Sequence, residues 1–160
     1  MMSERIVQRG LWFEEYDIGA IYEHRPGRTV TEADNVLFTT LTMNTQALHL
    51  DAAWSAQQPG FGGQRLINSM FTLSTIVGLS VAQLPQGTLV AHLGFGGVAF
   101  PAPLFAGDTL YGETECTGKR ESKSRPGEGI VNLTHIGRNQ HGEIVARATR
   151  STLVRKRPVE

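Results

Sequence analysis

LINSMFTLSTIVGLSV, Leu66 to Val81, is the longest apolar pattern in the chain. Leu66, Met70, Leu73 and Val77 recur at steps of four, three and four, while Ile67, Phe71 and Ile76 cover the adjoining faces. The other positions are small or weakly polar (Ser69, Thr72, Ser74, Thr75, Gly78, Ser80), and no charge follows Arg65. This spacing predicts a helix. A helix apolar on most sides is buried rather than laid on a surface. Asn68 stands where an N-cap is wanted, so the expected central helix runs from about Asn68 to Val81.

Beyond Pro85-Gln86-Gly87 the period changes from helix to strand. Leu89, Ala91, Leu93 and Phe95 alternate with Val90 and His92. Thr109 to Thr117 sets Leu110, Gly112, Thr114 and Cys116 against Tyr111, Glu113 and Glu115. Ile130–Ile136 and Ile144–Val154 repeat the habit, joined by the turn signal Asn139-Gln140-His141-Gly142. Lys119 to Gly129 reads as a charged connector. Ahead of the central helix, Thr31 followed by Asp34 predicts a capped helix start, with Ala33, Val36, Leu37, Thr40 and Leu41 at helical spacing. Residues 1–28 are expected to form an N-terminal arm. Helices followed by four long strands in meander order imply an α+β layer arrangement in which one antiparallel sheet wraps one buried helix. The free sheet edges of so small a unit call for a partner, so a homodimer or higher homo-oligomer is expected.

A chain of 160 residues is one domain, 1–160, and buries a core without staples. Lysine plus arginine equals aspartate plus glutamate at 15 each, so no global field draws in nucleic acid or membrane. No stretch approaches the roughly 18 uninterrupted apolar residues of a membrane span, and the N-terminus has no apolar run of signal-peptide length. One cysteine, Cys116, excludes an internal disulfide and fits a reducing compartment, so the expected location is cytoplasmic.

Chemistry concentrates in Leu41–Asp51, LTMNTQALHLD. An imidazole exchanges protons near neutral pH, which makes His49 the acid/base candidate. Asn44 cannot take a proton but positions a water by hydrogen bonding; it equally suits an Asx-turn that only shapes the loop. Asp51 reads as the N-cap of a short helix at Ala52, or as a supporting acid. The five histidines lack metal-ligand spacing and one cysteine cannot make a thiolate zinc site, so no metal is expected.

These residues carry a family resemblance. A buried helix wrapped by a curled antiparallel sheet is the hot-dog fold, and Thr42 to His49 resembles the hydratase signature of the MaoC-like dehydratases, or (R)-specific enoyl-CoA hydratases. The likeness continues through Asn68–Leu73, Phe105–Tyr111 and Lys119–Pro126, and spans about Thr29 to Val154. The later blocks look closest to the mesaconyl-CoA hydratase (β-methylmalyl-CoA dehydratase) branch. The resemblance implies a hydro-lyase that reversibly hydrates an enoyl-CoA thioester or dehydrates a 3-hydroxyacyl-CoA, on a short, branched or dicarboxylic acyl group. Coenzyme A is then part of the substrate and no cofactor is needed. It places His49 and Asn44 in catalysis and the backbone N–H of Ser69, at the start of the central helix, on the thioester oxygen. Asn68 and Asp51 would support them. The departure lies at Asn44, where the family has an aspartate, and at Ser69, where it usually has a glycine. A hot-dog thioesterase and a non-catalytic acyl-CoA-binding module are the competing functions, since fold alone does not choose between them. Lys119, Arg120, Lys123 and Arg125 are either contacts for coenzyme A phosphates or a solvated charged loop.

Overall fold

The Leu66–Val81 pattern folds as a helix, α4 (Ser69–Ser80), in the computed structural model, which describes residues 3–159. Asn68 is its N-cap, with Oδ1 accepting from the Met70 N–H at 3.0 Å. Before it come β1 (Ile21–Thr29), α1 (Glu32–Leu41) and two single-turn helices, α2 (Ala47–Leu50) and α3 (Ala52–Ser55); after it come β2 (Leu89–Ala99), β3 (Thr109–Glu121), β4 (Glu128–Arg138) and β5 (Ile144–Arg155). The five strands form one antiparallel sheet in the order β1-β3-β4-β5-β2. With α4 packed on its concave face, this is the hot-dog fold.

Contact between helix and sheet is set by missing side chains. A Cβ on Gly137 would stand 2.6 Å from Cγ2 of Ile76, so only glycine lets α4 lie directly on β4. Ile76, Leu110, Val145 and Ala146 surround that contact in the main core, with Phe71, Leu73 and Leu104. A second apolar cluster, including Phe13, Tyr16, Leu84 and Leu133, lies where the N-terminal segment crosses the sheet.

Four expectations need correction. β2 does not neighbour β3; it crosses to the far edge and pairs with β5, because alternation reveals a strand but not its partner. The expected arm, residues 1–28, ends in a strand: Ile21–Thr29 pairs with β3, with a register break between His24 and Arg28 around Pro26, which has no N–H to give a ladder and is tolerated on an edge. The charged connector is shorter than Lys119–Gly129, since β3 runs to Glu121 and β4 starts at Glu128. Finally, the sheet does not enclose α4 on every side: Met70, Ser74, Gly78 and Val81 are exposed along one strip.

Helix α1 buries a polar face. Its capping box forms as expected, with Thr31 Oγ1 accepting from the Asp34 N–H and the Asp34 carboxylate accepting from the Thr31 N–H. Its buried residues, however, are the polar pair Asn35 and Thr39, whereas Leu37 and Leu41 are 62% and 73% exposed.

Candidate active site

The loop after α1 is entered through a tight reversal. Met43 takes a positive φ of 56°, and the N–H of Asn44 donates to the Thr39 carbonyl at 3.0 Å. Asn44 Oδ1 then accepts from the Gln46 N–H at 3.0 Å, an Asx-turn that delivers the chain into α2. His49 lies on α2, buried, and its Nδ1 sits 2.8 Å from the Leu66 carbonyl. A carbonyl only accepts, so Nδ1 carries the proton, and the neutral ring keeps its lone pair on Nε2.

Leu66 is also where the chain turns into α4. Ile67 N–H donates to the Leu104 carbonyl at 2.9 Å, Asn68 N–H to Asn35 Oδ1 at 2.9 Å, and Met70 N–H to the Asn68 cap. The N–H of Ser69, the first residue of the helix, has no hydrogen-bond acceptor among the described residues. It stands at the positive end of the helix dipole. Ser69 and Thr72 are the polar residues of a cavity of about 200 Å³ walled by Phe61, Leu66, Phe100, Pro103 and Val145. No charged side chain lines it.

Asn35 ties these parts together. Its Nδ2 donates to the carbonyls of His49 (3.0 Å) and Leu66 (3.2 Å), and its Oδ1 takes the Asn68 N–H. Asn68 Nδ2 in turn donates to Thr39 Oγ1 at 3.2 Å. A buried polar pair four residues apart on α1 thus holds the histidine loop against the start of α4. Sequence reading missed Asn35. Its signal was there, as two polar residues at helical spacing on one face of a helix that must bury a face. Arg65 adds an outer tie, donating to the Leu50 carbonyl and pairing with Glu32.

The structure therefore brings His49, Asn68 and Ser69 together through Asn35 and the Leu66 carbonyl. Asn44 stands at the start of the loop that leads to His49, with its oxygen engaged in the turn. Asp51 caps α3, Oδ1 accepting from the Trp54 N–H at 2.9 Å, and no hydrogen bond joins it to His49 among the described residues. Of the basic residues, Lys119 Nζ donates to the carbonyls of Phe13 and Glu14, Arg125 pairs with Glu128, and Arg120 donates to the Glu121 carbonyl. Among the described residues no three His, Cys, Asp or Glu side chains stand together as metal ligands.

The description of the MaoC-like domain family matches residues 14–139. The chain belongs to the MaoC-like domain family. Over 148 residues this MaoC-like chain is 32% identical to the β-methylmalyl-CoA dehydratase of Chloroflexus aurantiacus, an alignment covering 92% of the chain and 41% of that protein. It is 30% identical over 154 residues to the mesaconyl-CoA hydratase of Cereibacter sphaeroides, covering 88% and 42%. A solved Archaeoglobus structure, described as a monoamine oxidase regulatory protein, superposes with a TM-score of 0.82 at 31% identity, covering 96% of this chain and all of that one. The MaoC-like chain thus spans about two fifths of the length of the curated relatives it matches, and the full length of that solved structure. No helix among the described residues is long and apolar enough to cross a membrane.

Proposed function

We propose that the protein is a hydro-lyase acting reversibly on a short enoyl-CoA or 3-hydroxyacyl-CoA, with a branched or dicarboxylic C4–C5 acyl group as the preferred class. The observation that carries this reading is the pairing of an oriented imidazole with an unused N–H at a helix start, both fixed by Asn35. His49 Nε2 takes a proton from water as its oxygen attacks the β-carbon, and the resulting imidazolium returns a proton to the α-carbon. The thioester oxygen gains charge as the enolate forms and is held by the Ser69 N–H and the dipole of α4. Asn44 keeps Nδ2 free beside its turn, and that N–H holds the attacking water. Asn68 supports the site by capping α4. Asp51 acts only through the position of α3. The names of the two curated relatives support the reaction class and the acyl class.

A second copy is the proposed partner. β2 is an edge strand with Leu93, Phe95 and Val98 exposed, α1 presents Leu37 and Leu41 to solvent, and the turn after it presents Met43. Open strand edges and apolar patches of this kind pair off. The buried free thiol of Cys116 suits a reducing cytoplasm.

One assay separates the readings. The protein is incubated with crotonyl-CoA and with mesaconyl-CoA while enoyl absorbance and free thiol are followed. Loss of absorbance without thiol is hydration; thiol release identifies a thioesterase; neither leaves an acyl-CoA-binding module. His49→Ala should cut hydration more than a hundredfold while removing about 1 kcal/mol of stability with its lost hydrogen bond. Activity within about tenfold of wild type would remove His49 from the chemistry.

A further inference from the structure

The first turn of α4 carries two hydroxyls that the protein itself does not use. Ser69 and Thr72 are three residues apart, so they share one face of the helix, about 4.5 Å apart along its axis. Both line the cavity at the helix start. Thr72 is 2% exposed, yet its Oγ1 makes no hydrogen bond to a described residue, and neither does Ser69 Oγ. A helical threonine shut away from water ordinarily bonds back to a carbonyl of the preceding turn. Further along α4, Thr75 and Ser80 do this, donating to the Phe71 and Val77 carbonyls at 2.8 and 2.6 Å. Thr72 does not.

The other walls of this cavity are apolar, among them Phe61, Phe100, Pro103 and Val145. In such a pocket the few polar groups decide orientation and specificity. Two O–H donors at the positive end of a helix dipole favour an oxygen that carries negative charge, and a hydrogen bond to an ionised acceptor is roughly twice as strong as a neutral one. The spacing says which oxygen. With the thioester oxygen on the Ser69 N–H, C4 of the acyl chain lies three bonds beyond C1, about 3.8 Å when extended. That span is close to the axial step from Ser69 to Thr72. C4 is where a branched dicarboxylic acyl group of four backbone carbons carries its second carboxylate, and where the monocarboxylic equivalent carries a methyl.

We propose that Thr72 is the specificity residue of this cavity: its hydroxyl, together with that of Ser69, donates to a free carboxylate at C4, so the site selects a dicarboxylic over a monocarboxylic acyl-CoA. The proposal rests on the function proposed above for the placement of the thioester and narrows its acyl class. A methyl at C4 leaves both hydroxyls facing apolar walls with nothing to bond. A site built to hydrogen-bond its ligand rejects the analogue that lacks the acceptor far more strongly than a purely apolar pocket discriminates by size.

The test uses two saturated esters that cannot be hydrated: 2-methylsuccinyl-CoA, with its free carboxylate at C4, and 2-methylbutyryl-CoA, with a methyl there. Titration calorimetry on the full chain reads the ratio of their Kd values. Wild type should prefer 2-methylsuccinyl-CoA. Thr72→Val, which exchanges the hydroxyl for a methyl of the same shape, should shrink that preference about 10- to 100-fold, and Thr72→Ser, which keeps the hydroxyl, should restore most of it. Ser69→Ala, which keeps the backbone N–H, should shrink the preference in the same sense, and it decides the matter if circular dichroism shows Thr72→Val unfolded. The proposal is overturned if wild type binds neither ester or binds both alike, or if the folded variant leaves the ratio unchanged. Equal weakening of both esters overturns it too, since a merely structural threonine, or one that meets the oxygen at the β-carbon, acts on both. Failure of the hydro-lyase reading looks different: mesaconyl-CoA is not hydrated, while the ratio of affinities still depends on Thr72.

Discussion

Replacing Asn35 tests how the candidate site is built. The side chain is 1% exposed and makes three hydrogen bonds, two given and one received. In Asn35→Ala the Leu66 carbonyl keeps the His49 Nδ1–H, but the His49 carbonyl and the Asn68 N–H lose this partner while buried. Each such orphan costs about 1–3 kcal/mol, so the two together cost about 2–6 kcal/mol, or about 4–24 °C in melting temperature for a domain of this size. Asn35→Asp is more telling. It keeps the acceptor for Asn68 N–H but turns a carboxylate toward two carbonyl oxygens, so at pH 7.5 it should destabilise at least as much as alanine. The same crowding raises the folded pKa of the new carboxyl above its unfolded value of about 3.9. Stability from a raised pKa is present at low pH and lost as pH rises through the folded value, so the variant should recover stability on acidification relative to wild type. Melting between pH 5 and 8, with kcat and KM for crotonyl-CoA, reads both effects; kcat should fall tenfold or more with KM little changed. An Asn35→Asp protein as stable as wild type at pH 7.5, or one that loses relative stability on acidification, would refute the role assigned to Asn35.

Acid sensitivity should come from the buried imidazoles. Burial and the nearby Arg150 charge push His135 down to about 3, and burial lowers His24. A depressed folded pKa gives stability that is intact above the unfolded value near 6.5 and is lost as pH falls, at about 1.4 kcal/mol per pH unit for each such group. Unfolding by urea at pH 7 and pH 5 should show about 2 kcal/mol lost through His135 alone, and His135→Gln should flatten the slope; an unchanged slope would assign the loss elsewhere. Asn44→Asp keeps the Asx-turn acceptor and adds an oxygen able to take a proton where Nδ2 now stands, so hydration should speed up severalfold; a fall in rate would mean the site depends on the amide. Leu93→Lys with Val98→Lys on β2 should shift sedimentation from dimer to monomer, and an unchanged sedimentation coefficient would put the interface elsewhere.

Periodicity made α4 and most of each long strand legible, because burial of an apolar face leaves a repeat in the sequence. Neighbour relations left none: β2 reads as an ordinary alternating strand, and only the structure sends it across to β5. β1 was hidden because IYEHRPGRT, one third charged and interrupted by a proline, lacks an apolar face; its burial pattern leaves only His24 covered. The loop from Asn44 to His49 was located by residue type and resemblance, and Asn68 by its cap position. What stayed invisible were polar residues whose partners are distant in sequence. Asn35 meets Asn68 across 33 positions, and Thr114 joins His24 and His135 from 90 and 21 positions away. A single chain read in order cannot anticipate such meetings. A polar residue on a helix's inward face marks where to look.

That inward face also explains why α1 looks inverted. A helix whose apolar residues point outward is unstable on its own terms, since Leu37 and Leu41 gain nothing from folding while they remain in water. Two arrangements reconcile this with a stable α1. In one, Asn35 and Thr39 supply enough buried hydrogen bonds to hold the helix unaided. In the other, a second copy covers the outer face. Buried hydrogen bonds return only about 1 kcal/mol each net of the water they displace, whereas burying one leucine side chain returns about 1.5–3 kcal/mol. The magnitudes favour the covered face. With a second copy there, α1 would have two jobs on opposite sides: its polar side fixes His49 and the start of α4, and its apolar side would meet that copy. The open strip of α4 and the β2 edge ask for cover in the same way, so the copy that completes the fold would also brace the helix on which the proposed chemistry depends.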